Sequence, residues 1–218
     1  MNDTAFLRLM QVFDSQFPIG HFAHSGGIET YADMGMNPSG LSELLLHDLQ
    51  FGWGRLDLSA AAMSWRHAHD NDELNRLGYE LDAWKPVEIT RQTSINTGRL
   101  MLNLAKRLFP ELTSDIQISS PHQSIIAGAI GGRAGWPVRH LLLAFGGNYV
   151  NAAVTAAIRC MPLSPEHAQE IIISLQQPLA DAVELAIEGP KFGLTAFTPA
   201  LDIRRQQQTA LQTRLFRS

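Results

Sequence analysis

Four polar side chains near the N-terminus have the types and the spacing that could support chemistry. His21 and His24 precede Ser25 and Glu29, and imidazoles beside a carboxylate are ligands that Ni²⁺ or Zn²⁺ accepts. A closed metal site needs about four converging ligands, and the other histidines are scattered along the chain. We therefore assign no metal site, although a small metal-dependent hydrolase using His21, His24 and Glu29 stands as the alternative function.

Ser25 lies in the run His24-Ser25-Gly26-Gly27, which superficially suggests a nucleophile beside a base. A nucleophile elbow requires Gly-x-Ser-x-Gly after a strand, and this run meets neither condition. We predict instead that Ser25 is the N-cap of a short helix that holds Glu29.

The segment 128–135 is rich in glycine but lacks the Lys-Ser/Thr pair of a phosphate-binding loop. Small residues in such a run let two helices approach closely, so the segment predicts tight helix packing rather than nucleotide binding. With no catalytic residue, cofactor or metal assigned, the sequence favours an interaction protein over an enzyme.

Composition narrows the class of protein further. The 218 residues include 17 basic and 21 acidic side chains and one cysteine, which excludes a disulfide framework and a cysteine-rich metal site. The acidic balance predicts no nucleic-acid binding. We see no signal peptide and no apolar stretch near the roughly 20 residues of a membrane span, and therefore expect a cytoplasmic protein. The last 21 residues carry four arginines against one aspartate, the charge pattern of a tail that docks on another protein.

Apolar side chains recur with a helical period along most of the chain. From Val138 to Cys160 they follow the i, i+3, i+4, i+7 pattern, and Pro162 must end that helix. The pattern predicts an all-α fold: a compact, single-domain helical bundle of roughly eight to ten helices over residues 1–197, followed by a tail over 198–218. The predicted helices are 4–14, 29–34, 41–69 with a possible division at Gly52 and Gly54, 71–83, 87–109, 121–132, 138–161, and 164–189 with a kink or break at Pro178.

The run from Phe17 to Glu29, which reads Phe-Pro-Ile-Gly-His-Phe-Ala-His-Ser-Gly-Gly-Ile-Glu, resembles the N-terminal signature of the urease accessory protein UreF family. Residues 88–104 and 151–163 are similar to two further stretches of that family. The ending Arg214-Leu215-Phe216-Arg217-Ser218 is similar to the family's C-terminus, although Gln207-Gln208-Thr209 stands where the family usually has Arg-His-Glu.

The resemblance implies an all-helical, dimerising protein without catalytic activity of its own. Members of the family form a complex with the accessory protein UreD, also called UreH, and with the GTPase UreG. That complex assists GTP-dependent nickel delivery into apo-urease. A GTPase regulator could supply an arginine in trans, and Arg91, Arg99, Arg133 and Arg159 are all open candidates.

Two segments are expected to contact the partners. The tail from about Pro199 is expected to be loosely ordered alone and to become helical on a UreD-type partner, because its apolar set is sparse. The loop around residues 17–29 is expected to present side chains at the surface. The predicted protein-binding residues are Phe17, Pro18, Gly20, Phe22, Ser25, Glu29 and Tyr31 in the motif, and Arg204, Arg205, Leu211, Arg214, Leu215 and Phe216 in the tail.

Overall fold

The computed structural model describes residues 1–20, 24–190, 193–211 and 215–216, and its regular structure is helical. No strand occurs in those ranges, so the all-α prediction is confirmed. The helices in chain order are α1 (Asp3–Val12), α2 (Ile28–Asp33), α3 (Pro38–Phe51), a π-helical turn (Gly54–Leu58), α4 (Ser59–Arg66), α5 (Asn71–Trp84), α6 (Glu88–Leu108), α7 (Pro110–Thr113), α8 (Gln123–Arg133), α9 (Val138–Cys160), α10 (Pro165–Ser174), α11 (Gln176–Glu188), α12 (Pro199–Gln207) and a 3-10 turn (Gln208–Ala210).

Local sequence explains where several helices begin. The side chains of Asn37, Asp70 and Ser164 accept the backbone N–H three residues later, at 2.9, 3.0 and 3.2 Å. Each bond satisfies an N–H that has no partner in the first helical turn.

Proline explains the predicted break near the C-terminus. Helix α10 ends at Ser174 and α11 begins at Gln176. Pro178 has no N–H to donate, and its ring would clash with the carbonyl of Ser174 four residues back. The helix therefore breaks just before Pro178, and the predicted kink or break at this proline is confirmed.

Helix α8 forms the centre of the fold. Every residue from 121 to 130 is buried, and α8 packs against α4 and α6. Glycine makes both contacts possible: a Cβ on Gly128 would strike the carbonyl of Ala61, and one on Gly98 would strike that of Pro121. The close helix packing expected of the segment 128–135 is confirmed.

Helix α9 has the length and apolarity of a membrane span, with a mean hydropathy of 1.5 in its most apolar window. The expectation that no stretch approaches such a span is therefore wrong for this helix. Leu141, Leu142, Phe145 and Val154 are nonetheless almost fully buried within the bundle. Packing inside a folded protein thus accounts for the composition of α9.

Candidate protein-docking site

The tail folds back onto the N-terminal motif. Helix α12 lies against α2, where the Thr30 hydroxyl donates to the carbonyl of Arg204 at 3.0 Å. Leu201 is 5% exposed, and a Cβ on Gly27 would lie 3.3 Å from its Cδ1. The expectation of a loosely ordered tail is therefore corrected for its described residues, because α12 is helical and its Leu201 packs over Gly27 within the chain. We call residues 24–31 together with the described residues of 198–216 the junction.

Glu29 fastens the end of the tail. Its side chain is 5% exposed and accepts hydrogen bonds from Nε2 of Gln208, at 3.0 Å, and from the backbone N–H of Leu215. A buried carboxylate needs such donors, because burial without them costs several kcal/mol. Glu29 is predicted as a protein-binding residue, and in this structure its carboxylate is engaged within the chain.

Asp48 of α3 forms a second contact with the tail, through Arg205. One of its oxygens accepts from Nη2 of Arg205 at 3.4 Å and from the Tyr149 hydroxyl, and the other accepts from the backbone N–H of Trp53 at 3.0 Å. The ring of Trp53 stacks on Tyr149 with centroids 4.0 Å apart. Asp48 is 1% exposed, so Arg205 supplies the charge that this buried site requires.

Burial and neighbouring charges keep the two side-chain partners of Asp48, Tyr149 and Arg205, protonated as hydrogen-bond donors. Burial, together with the negative charge of Asp48, raises the pKa of Tyr149 well above its usual value. Burial alone would lower the pKa of Arg205, but the neighbouring Asp48, Tyr149 and Asp202 raise it overall. The phenol and the guanidinium both therefore stay protonated at neutral pH.

A cavity of about 130 Å³ lies beneath the junction, between α3, α6, α9 and α12. Ser25 lines it, is 3% exposed, and has a hydroxyl without a hydrogen-bond partner. Ser25 is therefore not the N-cap of α2, and that prediction is wrong. Gly27, with φ of +95°, occupies the cap position and offers no side-chain oxygen.

The remaining motif residues differ in exposure. Phe17 is buried, whereas Pro18 and Gly20 are exposed at the surface. Tyr31 is half-buried beneath Arg204, whose Cζ lies 5.9 Å from the ring centroid. Phe22 lies outside the described residues.

The tail residues also divide into buried and exposed groups. Phe216 is buried, with Cζ of Arg159 5.8 Å from its ring centroid. Leu215 is exposed, and Leu211 is half-buried. Arg214 lies outside the described residues. The structure thus brings Glu29 and Tyr31 together with the tail but leaves Pro18 and Gly20 in the exposed loop that precedes the junction.

Sequence reasoning missed Asp48, Tyr149 and Gln208. Asp48 had a detectable signal, because it stands in the apolar stripe of Leu41 and Leu45 at the helical position where another apolar residue is expected. Tyr149 and Gln208 had none, since their roles depend on contacts with residues more than 100 positions away.

Three side chains outside the junction have the connectivity of a hydrolase triad. Nδ1 of His122 lies 3.0 Å from the Ser94 hydroxyl, and Nε2 lies 3.1 Å from Asp82. Burial, with a further contribution from the charge of Lys85, lowers the pKa of His122 to about 4. Such an imidazole is a weak base at neutral pH, so we interpret the trio as a link between α5, α6 and the start of α8.

The described residues contain no group of three His, Cys, Asp or Glu side chains able to hold a metal ion. Of the suggested hydrolase set, His21 lies outside the described residues and Glu29 is engaged by the tail. Burial also raises the pKa of the Cys160 thiol to about 11, so the thiolate that metals bind is scarce there.

Fold and site together define a class: an all-α protein in which the segment 24–31 and the C-terminal tail pack against each other. The chain belongs to the UreF family, whose model matches residues 36–176. A protein of Actinobacillus pleuropneumoniae serotype 5b (strain L20) is 31% identical over 224 residues, covering 96% of this chain and 97% of its own length.

Two further relatives span the chain ends as well. A protein of Mycobacterium marinum is 30% identical over 219 residues, covering 99% of this chain and 100% of its own length. One from Trichormus variabilis is 28% identical over 226 residues, covering 100% and 98%. All three relatives carry the name urease accessory protein UreF. The family model thus covers most of the helical body, and the full-length similarity includes the junction.

Proposed function

We propose that this chain is a urease accessory protein that forms a complex with a UreD/UreH-type protein and a UreG-type GTPase. In that complex it regulates GTP-dependent nickel insertion into apo-urease and performs no catalysis of its own. It acts in the cytoplasm as a homodimer. Membership of the UreF family and the names of its full-length relatives support this role.

The observation that carries the proposal is the docking of the tail on the motif. Thr30, Glu29 and Asp48 each contact the tail across more than 150 residues of sequence. The tail therefore lies against the end of the motif, at Glu29, and against the residues that follow it. A partner bound there would contact the motif and the tail together.

Complementation tests the role itself. Cells carrying a complete urease gene cluster except its UreF gene are supplied with this chain, with partner proteins from the same source. We expect urease activity to be restored. A soluble, expressed chain that restores no activity would contradict the proposal.

A truncation tests the proposed surface. Deleting residues 199–218 should abolish co-purification with the UreD-type protein and leave the helical circular-dichroism signal of the body in place. Glu29→Gln is the matched point variant, because it keeps the shape of the side chain but weakens its bonds to the tail. Equal binding by the truncated and the full-length chain would contradict the proposed surface.

Light scattering tests the proposed assembly. The purified chain should have about twice its monomer mass of 24.1 kDa. A monomer across the working concentrations would contradict the homodimer and leave the proposed partner binding standing.

A further inference from the structure

Three arginines stack on aromatic rings in the described part of the chain: Arg8 on Phe109, Arg159 on Phe216 and Arg204 on Tyr31. Arg8 also has a carboxylate, that of Glu111. Arg159 and Arg204 have no carboxylate within 4 Å among the described residues.

Both stacked pairs border the short helix α2. Tyr31 belongs to α2, and Phe216 follows Leu215, whose N–H contacts Glu29 of the same helix. A guanidinium over the face of a ring can still donate hydrogen bonds through its N–H edges. Arg204 uses one edge to reach the side chain of Gln207 at 2.6 Å.

Exposed apolar residues adjoin the two arginines along the chain. Ile158 adjoins Arg159 on α9 and is 40% exposed, Ile203 adjoins Arg204 on α12 and is 56% exposed, and Leu215 is 62% exposed. The surface therefore combines apolar area with two positioned cations. Arginine and apolar side chains are enriched where proteins bind proteins.

We propose that Arg159 and Arg204 are the anchors by which the junction binds a segment of its partner that carries carboxylates beside apolar side chains. The proposal rests on the proposed function, which places the UreD-type protein at this surface. A guanidinium with free edges binds a carboxylate through two parallel hydrogen bonds. The two guanidinium groups favour an acidic segment, and Ile158, Ile203 and Leu215 supply apolar contact area.

Charge reversal at each anchor tests the proposal. Affinity for the UreD-type partner is measured by titration at low and at moderate salt, with wild type, Arg159→Glu, Arg204→Glu and the control Arg99→Glu. Arg99 is an exposed arginine of α6 that donates only to Asn96, at 2.9 Å, in the described structure. We expect each anchor variant to bind about tenfold or more weakly and with a smaller salt dependence, and the control to match wild type.

Arg204 lies on the tail, so its variant requires a check that the tail is still docked. Limited proteolysis of residues 198–211 supplies that check, and Arg159→Gln supplies a second variant from outside the tail. Wild-type affinity and salt dependence in Arg159→Glu and Arg159→Gln would overturn the anchor proposal while the proposed function stands. Failure of the wild type to bind the partner at all would overturn both.

Discussion

The helical body and the junction are held together by different kinds of contact. Around α8 the body packs apolar side chains against glycine, and its buried ion pair between Asp57 and Lys85 is short, at 2.7 Å. Between the junction and α3, the ion pair of Arg205 and Asp48 is longer, at 3.4 Å. The body therefore relies on close helix packing and a short buried ion pair, whereas the tail is held by hydrogen bonds and by this longer ion pair.

This difference predicts which substitutions destabilise the whole domain and which release only the tail. Breaking a contact in the body should destabilise the whole domain, since the helices there share one apolar core. Breaking one in the junction should release the tail, after which water reaches the exposed carboxylates and limits the loss of stability.

Removing the buried carboxylate of the body should give the largest effect. Asp57 also accepts from the Ser124 hydroxyl at 3.0 Å, so Asp57→Ala leaves both a charge and a hydroxyl unpaired. We expect a loss of about 3 to 5 kcal/mol in the free energy of unfolding, measured by urea denaturation. The double variant Asp57→Ala/Lys85→Met should recover part of that loss. A loss under about 1 kcal/mol would contradict the expectation that the body cannot hold the unpaired charge of Lys85.

Acid should weaken the body through His122. Its pKa is about 4 in the folded chain and near 6.5 when unfolded, so the unfolded state binds more protons between those values. Stability therefore falls as the pH drops through that window, by about 2 kcal/mol from pH 6.5 to pH 5.

His122→Gln provides the control for this pH dependence. The variant keeps hydrogen-bonding capacity toward Ser94 and Asp82 but does not titrate, so its stability should change less over the same pH range. Urea unfolding at pH 6.5, 5.75 and 5 measures the free energy of unfolding of both chains. If it falls equally with pH in the two chains, His122 is not the source of the pH dependence.

Alanine substitutions at two adjacent glycines distinguish the stability cost of backbone strain from the cost of displacing the tail. Both have positive φ, at +61° for Gly26 and +95° for Gly27. A Cβ on Gly26 meets nothing within 4 Å, whereas one on Gly27 lies 3.1 Å from Cγ of Arg205. Gly26→Ala should cost about 1 kcal/mol for the left-handed backbone, and Gly27→Ala about 2 kcal/mol because it also displaces α12.

Deleting residues 199–218 completes that comparison. In the truncated chain the contact with Arg205 is gone, so the difference between the two alanine variants should shrink. Thermal unfolding of the four variants measures it. A difference that persists at full size in the truncated chain would assign the whole cost to the backbone.

The body was more predictable from sequence than the junction, and the reason is physical. Apolar periodicity and proline depend on neighbours within a few residues, so they located α9 and the break before Pro178. The family resemblance identified the two ends as a candidate site. It did not show that Glu29 is buried by Gln208, because the two residues are 179 positions apart and neither has a local signal for the contact.

The smallest expected effect is that of Ser25→Ala, just before α2, and Asp70→Ala at the start of α5 is its reference. Asp70→Ala removes a side-chain cap that accepts the backbone N–H of Glu73 at 3.0 Å, and should cost about 1 kcal/mol. Ser25→Ala, in the junction, removes a hydroxyl that bonds to nothing, so its stability should stay within about 0.5 kcal/mol of wild type. Urea unfolding of both variants tests this, and a loss at Ser25 as large as that at Asp70 would restore Ser25 as a cap. A neutral result would support Gly27 as the residue that begins α2, because Gly27 caps the helix without a side-chain bond while Leu201 and Arg205 of α12 pack over it.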